Sequence, residues 1–548
     1  CIRDRSESPL FLQHEFKTIN FYAMETFSIS NLDLVIVLVY LAFIIWWGLK
    51  NGKSSDSQSY FLAGRSMPWW VVGLSLFAAS ISSTTLIGQS GDAYHTGIAV
   101  FNYNLTGIVV MVFFAVFLLP LYIKSGIFTI PEFLEKRFDR RSRYYFSAIC
   151  IIGNIFLDAA GALYAAALII KLILPDADLQ LIIIVFAIIA ASYTIPGGLS
   201  SAINAELIQA VILILGSILL TFYCFQQGGD YFYQLFASGD ISVKLIRPLT
   251  DTATPWLGLI VGMPVLGIYF WANNQTLVQR VLSSKSVDEG RKGVLFTGFL
   301  TMLTLFIIAI PGVIARHLFP GLEKPDMVYP NMVLQLIPVG LLGIMLAALL
   351  SALTSTLSAI LNSTSTLFTM DFYAQYNKNA SSQKLVIIGK ITSCVIIVAA
   401  ALWAPQIGKF GSLLKYYQEM LSYIAPPVVA AFLLGVFNKR VNGNGAFAGL
   451  LSGLAIAVVM LFYKNEIFGD MHFLLIVPFL LAVSGIVIYL VSMCYSKPVV
   501  EKLVDTTFSM SELKAEFRAN RALVWYKNYH SWAIVLLVLS VLIWIIFS

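Results

Sequence analysis

The chain has 548 residues, of which 58% are hydrophobic and only 12% charged, with a mean hydropathy of +0.82. Soluble domains carry about 25% charged residues, so this composition excludes an ordinary soluble protein and points to a membrane protein. The net charge of +6 gives no reason to invoke nucleic acid, and five scattered cysteines form neither a disulfide framework nor a metal motif.

In chain order, residues 1–30 form a polar segment ahead of the first span, and 1–23 precede a plausible start at Met24, so they are set apart as upstream sequence. Apolar runs of about 20 residues then predict spans near 31–49, 67–90, 98–123, 144–173, 177–194, 204–226 and 254–280. Seven more follow near 291–317, 333–371, 384–407, 412–437, 445–463, 471–495 and 531–547. The expectation is an all-α polytopic protein of about 14 transmembrane helices, because lipid leaves helices as the way to satisfy so many backbone groups. Alternate loops hold 23 Lys and Arg residues against six in the others. By the positive-inside rule both termini face outward. The longest inner loop, 496–530, reads as an amphipathic connector, and the compact loops suggest a bacterial inner membrane.

An enzyme is not expected. The five histidines share no ligand spacing, there is no H-E-x-x-H, phosphate-binding loop or G-x-S-x-G motif, and no soluble region could hold a catalytic core. Two spans are instead unusually rich in oxygen. SLFAASISSTTLIGQSG (75–91) carries Ser80, Ser82, Ser83, Thr84, Thr85 and Ser90 and loses its apolar periodicity midway; SALTSTLSAILNSTSTLFTMD (351–371) aligns Ser355, Ser358 and Asn362 on one helical face. Small hydroxylated residues also let helices pack closely, but two such clusters suit a carrier that binds a hard cation with carbonyls and hydroxyls near the midplane. Intramembrane acids are costly and mark function: Asp158 reads as a substrate or gating contact and Glu206 as an ion or proton group. Lys415 and Glu419, one turn apart, are expected to pair with each other.

YFLAGRSMPWW (60–70), FTIPEFLEKRF (128–138), YTIPGGLSS (193–201), QRVLSSKS (279–286), LNSTSTLFTMD (361–371) and FLLGVFNKRVNGNGA (432–446) together resemble the sodium/solute symporter family, in particular its sodium–sugar branch. The resemblance runs from about residue 32 to 463. It implies a LeuT-like core of two inverted five-helix repeats with broken helices: 67–226 and 254–437, flanked by a peripheral helix at 31–49 and peripheral helices in 445–548. It also implies a sodium site from the carbonyls of Ala78, Ile81 and Ala352 and the hydroxyls of Ser355 and Thr356. A second ion would use Glu206 with Ser355 and Ser358, although Ala359 stands where a further hydroxyl is expected.

For the solute, the resemblance points to Ser82, Thr85, Gln89, Tyr103, Asn104, Asp158, Phe270, Thr301 and Gln418. Thr85, Asn104, Gly267 and Thr301 depart from the residues that grip sugar in relatives; Gln418 is kept, and Phe270 replaces a capping Tyr. Asp158 stands where sialic-acid-transporting relatives hold a carboxylate with Arg, and it would repel an acid. The expected function is sodium-coupled import of a small polar solute, most simply a sugar or polyol, by a monomer with no protein partner. The alternatives are sodium or proton symport of an amino acid, carboxylate or vitamin, and a nutrient sensor.

Overall fold

The computed structural model describes residues 29–548 except 52–55, 83, 175, 252–253, 323, 408–412 and 470. Of the features above, the segment 1–28, Ser83 and the side chains of Thr84 and Lys415 lie outside the described residues. Among the described residues there are helices, turns and two isolated bridges, Met67–Ser284 and Arg247–Pro255, but no strand.

Twelve described helices are long and apolar enough to cross a membrane. One, Leu179–Ser238, has 60 residues, far more than the roughly 20 a bilayer needs. It is two spans joined at a kink. Pro196 cannot donate to the ladder, and Gly198 takes φ +63°, where a Cβ would lie 2.6 Å from the Tyr60 carbonyl oxygen. Helices Trp69–Ser80 and Thr85–Thr96 meet at 61° and make one broken span. Counting the kinked helix twice and the bent pair once gives the 14 expected.

Burial separates centre from rim. The most apolar stretch of the span Leu341–Tyr376 is 94% buried, whereas those of Asn31–Lys50 and Tyr529–Ile546 are 22% buried. The central helix Leu341–Thr366 nevertheless carries many hydroxyls. Most are satisfied by its own backbone: Thr354 donates to the Leu350 carbonyl at 2.7 Å, Thr364 to Ile360 at 2.7 Å and Thr366 to Asn362 at 2.6 Å. Others tie it to Leu179–Ser238. Thr194 donates to Ser358 at 2.9 Å, Gln209 to Thr354 Oγ1 at 3.0 Å and the Tyr193 hydroxyl to the Thr354 carbonyl at 3.2 Å.

Several arginines expected among the orienting loop charges are in fact buried: Arg137, Arg143, Arg280 and Arg291. Each has an anionic or carbonyl partner that makes burial tolerable. Arg280 grips Glu206 through Nη2 at 2.5 Å and Nε at 3.2 Å, and Ser75 donates to the same carboxylate. Arg143 reaches Asp371 at 2.7 and 2.9 Å, while Ser147 and Thr129 complete that carboxylate at 2.5 and 2.6 Å. Arg137 donates to the carbonyls of Gly435 and Asn438 at 2.6 and 2.8 Å, at the C-terminal end of Leu413–Phe437, where the helix dipole welcomes a cation. Burial pulls the Arg137 guanidinium down to about 10, still charged at neutral pH.

The short motifs meet in space. Gln279 donates to the Phe61 carbonyl at 2.6 Å and to Thr366 at 2.9 Å, the Met67 amide donates to the Ser283 carbonyl while the Met67 carbonyl accepts from the Lys285 amide, both at 3.0 Å, and the Tyr60 hydroxyl reaches the Ile195 carbonyl at 2.9 Å. One cluster at one end of the bundle thus uses YFLAGRS, YTIPGG, QRVLSSKS and LNSTSTLF together.

Removing one partner of a fully buried pair leaves an uncompensated charge, at a cost of about 3–5 kcal/mol. Glu206→Gln should therefore melt well below wild type in detergent, and Arg280→Met likewise. The double variant Glu206→Leu/Arg280→Met should recover most of the loss. A double variant that melts no higher than the worse single would refute this account of the pair.

Candidate functional site

The site begins where a helix stops. Trp69–Ser80 ends as Ile81 leaves helical geometry at φ −84°, ψ 78°. Ser80 turns its hydroxyl onto the Phe77 carbonyl at 2.8 Å, which the Ile81 amide also uses. The chain resumes in a wide turn, Thr84–Gly88, and the helix Gln89–Thr96. Carbonyls at such an end lack intrahelical donors and become available inside the bilayer.

The central helix supplies the facing oxygens. Ser355 Oγ lies 3.4 Å from the Ala78 carbonyl oxygen and 3.0 Å from that of Ala352, which Thr356 Oγ1 also approaches at 2.9 Å. Four of the five expected sodium ligands, Ala78, Ala352, Ser355 and Thr356, are thereby brought together. The fifth, Ile81, lines the adjoining cavity beside Thr356. The other acidic candidate is elsewhere engaged: Glu206 faces Arg280 and Ser75, and Ser358 accepts from Thr194.

A cavity adjoins this oxygen cluster. All nine residues expected to meet the solute line it: Ser82, Thr85, Gln89, Tyr103, Asn104, Asp158, Phe270, Thr301 and Gln418. Its polar wall is ordered in advance. Gln89 and Asn104 exchange amide hydrogen bonds at 3.1 and 3.0 Å, and Asn104 also donates to Thr304 at 2.7 Å. Thr85 is fastened to the Ser80 carbonyl at 3.1 Å. Asp158 sits in a second wide turn, Asn154–Ala159, and lines the cavity together with Tyr417.

The opposite wall comes from another span. Trp256–Val261 and Met263–Ile268 lead through the wide turn Tyr269–Asn273 to Asn274, which is extended at ψ 117°. Asn274 then caps Gln275–Leu282 by accepting from the Thr276 amide at 2.8 Å. Phe270 and Trp271 form an edge-to-face pair with centroids 5.1 Å apart, and Gly107 lets the indole come close, since a Cβ there would lie 2.5 Å from Trp271 Nε1.

Sequence reasoning missed Tyr417, Trp271, Asn274 and Thr276, all of which line the cavity. Tyr417 had a signal, being next to Gln418; the apolar wall had none. Glu419 pairs with Lys464 at 2.9 Å, on the neighbouring helix Gly443–Phe468; the Lys415 side chain, its expected partner one turn away, lies outside the described residues.

A polytopic helical bundle with a broken span beside a cavity of mixed polar and apolar lining is the architecture of a secondary carrier. The sodium:solute symporter family model matches residues 60–453. A sodium/glucose cotransporter of Vibrio parahaemolyticus is 34% identical over 467 residues, spanning 79% of this chain and 86% of that protein. Sodium/glucose cotransporter 1 of Ovis aries is 33% identical over 528 residues, 86% of this chain and 79% of that protein. In fold, the chain is similar to an outward-open sodium-coupled sialic acid symporter, with a TM-score of 0.76, 22% identity and coverage of 85% and 99%. A nucleobase-cation-symport-1 family transporter in a closed conformation gives 0.56 at 14% identity, covering 83% and 99%. The chain belongs to the sodium:solute symporter family, and sodium is its coupling ion.

Thr356 borders both the oxygen cluster and the cavity, which makes it a reporter. In a background without native cysteines, Thr356→Cys should react with a small thiol reagent several-fold more slowly in sodium than in choline. Equal rates in the two media would detach this residue from the ion.

Proposed function

We propose that the protein imports a small, neutral, polyhydroxylated solute, a sugar or polyol, together with sodium by alternating access. The observation that carries this reading is the cavity lining: apolar and uncharged polar side chains with Asp158 as the single charged group among the described residues. A carboxylate accepts strong hydrogen bonds from hydroxyls, and the amides of Gln89, Asn104 and Gln418 offer both donors and acceptors. An acidic solute would meet Asp158 with no cation to balance it. The relatives named as sodium/glucose cotransporters support the same class.

In this reading one sodium ion takes oxygens from Ala78, Ile81, Ala352, Ser355 and Thr356. It joins the end of a broken helix to the central helix. Because Ile81 and Thr356 also face the solute, holding them in place shapes the cavity, and the solute must in turn favour sodium. A charge falling through 100 mV supplies roughly 2.3 kcal/mol, equivalent to about a 50-fold gradient of a neutral solute. Glu206 and Ser358 are assigned to packing rather than to a second ion, since Arg280 already balances that carboxylate and Thr194 occupies that hydroxyl. Repeats at 67–226 and 254–437 would rearrange around the site within a single chain, oriented with both termini outside.

Proteoliposomes with an inward sodium gradient should accumulate a labelled sugar or polyol in preference to amino acids or sialic acid. Accumulation of an acidic solute alone would overturn the cargo assignment while leaving sodium coupling intact. In the same assay Ser355→Ala and Thr356→Ala should each raise the half-saturating sodium concentration about 10-fold or more, the worth of one interaction with a charged group, with unchanged melting. Unaltered sodium dependence in both would remove this ion site.

A further inference from the structure

The connector 496–530 contains the helix Met510–Asn520, which lies against the bundle away from the transport cavity. Its two acids are taken: Glu512 pairs with Lys124 at 2.8 Å and Glu516 with Arg291. Arg291 in turn covers the Tyr529 ring at 4.3 Å. These contacts fix the helix to the spans Ile98–Lys124 and Val287–Leu318. Three further cations, Lys514, Arg518 and Arg521, have no carboxylate partner among the described residues, although Arg521 stacks over Phe517 at 5.3 Å.

Those three cations share one concavity with His530, Phe517 and Val116. His530 Nε2 is buried there without a hydrogen-bond partner. Val116 lies eight residues inside the span Ile98–Lys124, about 12 Å from its end at 1.5 Å per residue. The concavity therefore has a cationic side at the membrane surface and an apolar side at membrane depth. Beside it, Leu523, Val524, Trp525 and Tyr526 are 45–68% exposed, as suits side chains at the interface between headgroups and acyl chains.

We propose that this concavity binds one anionic phospholipid, its phosphate held by Lys514, Arg518 and Arg521 and an acyl chain lying along Phe517 and Val116. A free phosphate shares the cationic chemistry but not the need for an apolar wall continuous with a membrane span, so the lipid is the favoured source.

The test is native mass spectrometry of the full-length chain in detergent, titrated with phosphatidylglycerol or phosphatidylcholine. Wild type should retain one phosphatidylglycerol more than Lys514→Gln/Arg518→Gln/Arg521→Gln, with affinity at least about 10-fold higher than the variant's and a clear preference over phosphatidylcholine. Equal retention by the variant, or equal binding of phosphatidylcholine, would overturn the site. Displacement of the lipid by millimolar inorganic phosphate would reassign it to a free anion and overturn the lipid. The exposed positions should leave melting unchanged; should the triple variant melt early, Arg518→Glu alone must lower phosphatidylglycerol retention, and failure to do so overturns the proposal.

Discussion

A polar group inside a bilayer must find its partner in the protein, and this requirement organises the whole molecule. The central helix can carry so many hydroxyls because most bond to the carbonyl one turn back or to a neighbouring helix. Where Trp69–Ser80 stops short, the requirement changes sign. The oxygens freed there are not all consumed locally, and they face hydroxyls of the central helix across a gap. What would be a defect in a purely structural helix is, in the proposed function, a place for a cation.

The same requirement governs the charges at one end of the bundle. Arg137, Arg143 and Arg280 are each enclosed by carboxylates or helix-terminal carbonyls. These contacts specify partners more than they stabilise, since the desolvation cost of a buried pair offsets much of its attraction. They bring together stretches separated in sequence by 74 to 301 residues. The motifs that signal the family are, in large part, the two halves of such contacts.

That explains what was legible. Spans are visible because they depend on local composition, and the break after Ser80 because hydroxyls and glycines interrupt an apolar run. All nine positions expected to meet a solute line one cavity. Partners were harder to read. Arg280 looked like a loop cation because nothing nearby in sequence announces Glu206, 74 residues away. Glu419 takes a bond from Lys464, 45 residues on, and nothing in its own helix announces it. The wall containing Trp271 and Leu266 is indistinguishable in sequence from any lipid-facing apolar run. Local patterns announce local structure; a tertiary contact needs both ends at once.

The position of Thr356 carries a further consequence. It lies between the oxygen cluster and the cavity, so under the proposed function a change there for one ligand disturbs the other. Asn104, Gly267 and Thr301 line the same cavity without belonging to the oxygen cluster. A lineage built on this plan can exchange its cargo by redrawing one wall while its energy source stays fixed in the other.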